Sequence, residues 1–146
     1  MAEKTAQTYQ NHAQLIPLYH YVALPVLLIN ALWALYQLTQ GVGGESIIAL
    51  AVAVALLLIA FYARVFALAA QDRIIRLEEQ LRLRELLPDD LQARINDHTT
   101  EQLIGLRFAS DGELPALSRK VLDNDIADRK TIKQLVQSWR PDYQRV

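Results

Sequence analysis

The sequence predicts an all-α membrane protein: a two-helix transmembrane hairpin whose second helix extends into a small cytoplasmic helical domain. Three observations predict it. Charge is segregated, because between Lys4 and Ala63 the only charged residue is Glu45, whereas residues 64–146 hold fourteen Lys/Arg and fourteen Asp/Glu. Two long apolar runs occupy the uncharged half. The charged half carries helical periodicity, broken at Pro88 and Pro141. Composition narrows the rest. With no cysteine there is no disulfide scaffold, thiol nucleophile or cysteine metal site. A net charge of −1 gives no reason to expect a nucleic-acid partner.

The organisation expected is a cytoplasmic N-terminal segment over 1–14, a transmembrane hairpin over 15–70 and a cytoplasmic helical domain over 71–146. The first run, Leu15 to Leu38, is 24 residues without formal charge. As a helix it reaches about 36 Å, enough for a hydrocarbon core of about 30 Å. It is too long, and starts too far from the N-terminal basic residue, to read as a cleaved signal peptide. Pro25 removes one backbone donor and crowds the carbonyl of Tyr21, which predicts a kink. The second run starts at Ile47, is uninterrupted to Ala63 and continues past Arg64 to Ala70. Arg64 is therefore expected near the interface, its stem along apolar surface. The connector TQGVGGES, Thr39–Ser46, is too short for anything but a hairpin. Basic residues follow the second run (Arg64, Arg73, Arg76, Arg82, Arg84) and none lies in the connector, so both termini are expected in the cytoplasm.

Below the membrane, Ile74, Leu77 and Leu81 share a helix face with Asp72–Arg76 and Glu78–Arg82 pairs around it, predicting an unbroken helix from Ile47 to Leu87. Pro88-Asp89-Asp90 ends it and starts a short helix bearing Leu91 and Ile95. Thr99 with Gln102, and Ser110 with Glu113, resemble capping boxes before two further helices. Ile132, Leu135, Val136 and Trp139 predict a last helix over about 128–139, stopped by Pro141.

Two stripes at heptad spacing are the candidate functional residues. On the first span His20, Ala23, Leu27, Asn30, Ala34 and Gln37 align. The stripe either packs on the second span, with Asn30 bonding across helices, or presents His20, Asn30 and Gln37 as the polar lining of an oligomeric pore. On the second span the stripe runs through Ala53, Ala60 and Ala63 to Ile74, Leu77 and Leu81. Small residues favour close packing in lipid, and branched ones reward burial in water. With Ile74 at a and Leu77 at d, Arg73 and Glu78 are placed to pair between parallel chains.

Motifs for chemistry are missing. His12 and His20, the pair for a haem or metal site, do not share a helix face well. The carboxylates Asp89/Asp90, Asp111/Glu113 and Asp123/Asp125 sit at helix ends, where capping accounts for them. A calcium loop beginning at Asp123 fails for want of glycine at its sixth position, which is Asp128. No enzyme and no cofactor are expected.

The stretches QDRIIRLEEQLRL (71–83), EQLIGLRFASDGELPAL (101–117) and IKQLVQSWRPDYQRV (132–146), with QNHAQLIPLYH near the N-terminus, resemble an uncharacterised family of small bacterial two-span membrane proteins, a domain of unknown function. The resemblance implies a bacterial inner membrane and a cytoplasmic helical tail, and supplies no activity. The function expected is therefore interaction: a self-associating scaffold or an accessory subunit, with lipid, copies of itself or other membrane subunits as partners. A small oligomeric channel is the alternative.

Overall fold

The computed structural model describes residues 7–11 and 15–143. Among these the chain is all-α, with one isolated antiparallel bridge, Ala109 to Trp139, in place of any strand. It divides into two units, residues 14–68 and the remainder.

In the first unit, a π-helical segment Leu18–Ala23 leads into α1, Leu24–Gln40, and α2, Gly44–Leu86, follows after three residues. Pro25 accounts for the π register. It cannot donate to the carbonyl of Tyr21 and crowds it, and the wider turn, closed by Leu24 N–H on Tyr19 O, relieves both problems. Ser46 caps the connector, accepting from the Gly43 N–H at 3.0 Å and donating to Gly41 O at 3.0 Å. The helices meet through small side chains: Ala34 and Ala53 are buried, with Leu27, Ala31, Leu57 and Ala60 half-buried beside them. Residues 18–40 and 44–86 form two helices long and apolar enough to cross a membrane. Only 6% of the apolar window in each is buried, unlike a core helix of a water-soluble protein.

α2 runs 43 residues without a break, as the periodicity predicts, and stops before Pro88. The second unit then turns back on its last turns. α3 (Asp89–Gln92), a 3₁₀ turn (Ile95–Asp97), α4 (Thr100–Leu106), α5 (Leu114–Asp123) and α6 (Arg129–Leu135) enclose a core of Leu83, Leu87, Leu91, Leu103, Leu106, Phe108, Leu114, Val121 and Ile132. The Thr99–Gln102 capping box forms: Gln102 N–H donates to Thr99 Oγ1 at 3.2 Å, and Thr99 N–H to Gln102 Oε1 at 2.8 Å. Asp128 caps α6, accepting from the Thr131 N–H and hydroxyl at 2.7 Å each, and these bonds hold its carboxyl below the usual carboxylate range.

Two expectations are corrected. Glu113 makes no capping box with Ser110. Its two carboxylate oxygens instead accept the N–H groups of Gln137 and Ser138, each at 2.9 Å. For the same reason the last helix ends at Leu135 rather than Trp139. From Val136 to Arg140 the chain leaves the helix, with Ser110 N–H donating to Ser138 O at 2.9 Å and Arg140 N–H to Phe108 O at 2.7 Å. Trp139 still reaches the core, its ring 4.8 Å from that of Phe108, by a non-helical path.

Candidate functional site

The last turns of α2 carry two opposed faces. Ile75, Glu79 and Leu83 are buried, Leu83 within the helical core. Ile74, Leu77 and Leu81 are 55%, 63% and 59% exposed. At 100° per residue the two sets lie on the order of 160° apart, so closing one face leaves the other open. Neither Arg73 nor Glu78, beside the open face, is buried.

The rest of the sequence stripe divides. Ala53 is 1% exposed and Ala60 half-buried, both within the hairpin, while Ala63 is exposed. On α1, Ala34 faces α2, but Asn30 and Gln37 are exposed rather than bonded across the hairpin. His20 is half-buried, its Nδ1 3.0 Å from Ile16 O and 3.1 Å from Ile16 N. His12, its companion in the metal reading, lies outside the described residues.

Glu79, to which the sequence reading assigned no role, anchors an ion-pair cluster on the closed face. Its carboxylate meets Arg82 at 3.0 Å and Arg140 at 3.6 Å. Arg82 also binds Asp111 at 2.7 Å and donates to Ala109 O at 2.7 Å, and Arg107 faces Asp142 at 3.4 Å. Burial pushes the Glu79 carboxyl above its ordinary value, against the opposing pull of Arg82, Arg140 and Arg107. These groups border an open cleft of about 810 Å³. Arg82, Arg107 and Arg140 each face a carboxylate, so the cluster fastens the C-terminal segment to α2 rather than offering free cations. The i, i+3 spacing of Glu79 and Arg82 was the one local signal for it. Asp90 and Asp123, read as caps, pair instead with Arg119 at 2.6 Å and Arg94 at 2.7 Å.

A Ser–His contact also appears, with Ser118 Oγ 3.0 Å from His98 Nε2 and Nδ1 of the same ring 3.2 Å from Ile95 O. Ser118 is fully buried and His98 nearly so, which leaves no approach for a substrate. The pair satisfies polar atoms inside the core, and burial lowers the imidazole pKa.

The class defined by this geometry is a small all-helical protein with two span-length apolar helices and an ion-paired helical unit built on the second. A family of unknown function, DUF6526, matches over residues 1–146, and the chain belongs to that family. No curated protein and no solved structure matches it.

Proposed function

We propose that this is an integral inner-membrane interaction protein, a self-associating scaffold or an accessory subunit of a larger membrane complex, acting without catalysis. The observation that carries the reading is the open face of Ile74, Leu77 and Leu81. Membrane insertion is supported by the apolar side chains left outward on both long helices, Leu28, Ile29, Leu32, Ile48, Val52 and Ile59 among them. A shared side for both termini is supported by the pairing of Gln7 with Asp142: Gln7 Nε2 donates to Asp142 O at 3.1 Å, and Asp142 N–H to Gln7 Oε1 at 2.8 Å. The arginine-free connector then argues that this side is the cytoplasm.

Full burial of a Leu or Ile side chain is worth about 1.5–3 kcal/mol, so the three from each of two copies, every one a little over half exposed, supply about 5–10 kcal/mol gross. Association costs about 4–15 kcal/mol in lost freedom. The face alone is thus marginal between freely tumbling partners and effective between chains already oriented in one bilayer. Native mass spectrometry of gently extracted protein tests the reading: homo-oligomers, or stoichiometric co-release with other subunits, are the expected result, and Leu77→Asp converts either to monomer. A monomer from the parent protein, or unchanged assembly of the variant, refutes it.

The channel reading draws on Asn30 and Gln37, whose exposure makes them available to neighbouring copies. Bilayer conductance lost in Asn30→Leu favours it, and silent bilayers from intact oligomers refute it.

A further inference from the structure

The hairpin unit holds a groove of about 670 Å³ that is apolar along nearly its whole wall. Leu24 lines one side, and Val54, Leu57, Leu58, Phe61 and Val65 the other. Toward one end, with Leu68 beyond them, stand three polar residues, Tyr19, His20 and Arg64. Tyr19 Oη is committed, donating to Ala60 O at 2.6 Å. Arg64 is not. Its Nη1 is covered by protein, yet among the described residues no acceptor receives its hydrogens. A covered N–H without an acceptor costs about 1–3 kcal/mol in desolvation, and an anion in the groove toward which the Arg64 side chain turns would supply that acceptor.

We propose that the groove binds one anionic phospholipid, with the phosphate on the Arg64 guanidinium beside His20 and an acyl chain along Leu24, Val54, Leu58 and Phe61. This inference rests on the membrane reading above. Three features select a lipid over a free anion. The wall is hydrocarbon, as an acyl chain requires. The cation sits toward one end of that wall, ten residues along α2 from Val54 and four from Leu68, as a headgroup requires. Arg64 is the first charged residue after Glu45, in the last third of the apolar run of α2 and so near the membrane interface when that run spans a bilayer. Arginine also suits phosphate better than lysine would, because its planar fork donates two parallel hydrogen bonds.

The test uses the full chain, extracted in neutral detergent and titrated with phosphatidylglycerol or phosphatidylcholine of matched chains, with bound lipid counted by native mass spectrometry. The parent protein should hold one phosphatidylglycerol with an affinity about fivefold above that for phosphatidylcholine, the factor expected of a single cation at a membrane surface. Arg64→Gln should erase the preference while circular dichroism stays unchanged. Leu58→Trp, which keeps the cation and fills the groove, should weaken both lipids. Equal binding of the two lipids by the parent, equal preference in Arg64→Gln, or displacement by millimolar inorganic phosphate overturns the proposal. Alkaline carbonate extraction of native membranes separates the two failures: release of the protein into the supernatant overturns the membrane reading and this site with it, while retention without lipid preference overturns the site alone.

Discussion

Gly105 sits in α4 where that helix meets α6, and two rules disagree about replacing it. By helix propensity, Gly105→Ala should stabilise, by up to about 1 kcal/mol. By packing it should destabilise, since a Cβ at that position would stand 2.8 Å from both Cβ and Cγ2 of Ile132 and 3.3 Å from Arg129 O. The contacted atoms decide the sign. Ile132 is β-branched and fully buried, so its Cβ cannot swing aside, and Arg129 O is backbone in the first turn of α6. Relief requires α6 to move as a body, against its Asp128 cap and the Ile132 core contacts. Overpacking of this kind costs about 1–3 kcal/mol, which leaves a net loss of about 1 kcal/mol at the middle of that range after the propensity gain. For a unit of this size that lowers the melting temperature by about 4–8 °C. The assay is thermal unfolding in detergent, followed by Trp139 fluorescence in a Trp33→Phe background, because Trp139 stacks on Phe108 inside the same unit. Ile132→Ala removes one of the two offending atoms, so the double variant should lose less than the sum of the single losses. A raised melting temperature for Gly105→Ala refutes the packing argument outright.

Other outcomes follow from the same geometry. Ala53→Leu should destabilise the hairpin by about 1–3 kcal/mol, since Ala53 is buried between the helices, whereas Ala63→Leu should leave it intact; protection of the connector from proteolysis in detergent distinguishes them. Glu79→Ala strips a buried carboxylate from Arg82 and Arg140 and should cost about 3 kcal/mol, at the low end for a broken buried pair because Arg82 keeps Asp111. Denaturant titration of the C-terminal unit reads that loss, with Glu79→Gln retaining part of the stability. His98 gives a pH dependence of definite sign. Its folded pKa lies below the ordinary 6.5, so its contribution is full above that value and is lost as the pH falls toward the lowered one. Melting temperatures measured from pH 7.5 down to pH 5 should fall in the parent and flatten in His98→Gln.

The legible part of this protein is the part written in local pattern. The 3.6-residue period located α2 along its whole length, Pro88 marked its end, and the Thr99–Gln102 box marked the start of α4. Where a residue had a choice of partners, pattern pointed to the nearer one and the fold took the farther. Glu113 has a serine three residues before it and instead accepts from Gln137 and Ser138. Asp111 and Asp123, plausible caps by position, reach Arg82 and Arg94 across 29 residues. Within the hairpin the spacing aligns Ala53 with Ala63, and the fold buries the first and leaves the second exposed.

Charge segregation, apolar length and helical period act through solvent and backbone alone, which is why composition and spacing suffice to read two span-length helices and an all-helical remainder. Which face of α2 closes is a different kind of fact. Ile75 and Ile74 are adjacent and chemically identical, and nothing local distinguishes them. The choice was made by the returning chain, which seats Leu83 and Leu87 in the core and places Arg140 against Glu79. It also left Ile74, Leu77 and Leu81 uncovered. Burial depends on what arrives from far along the sequence, and only the folded chain brings it there.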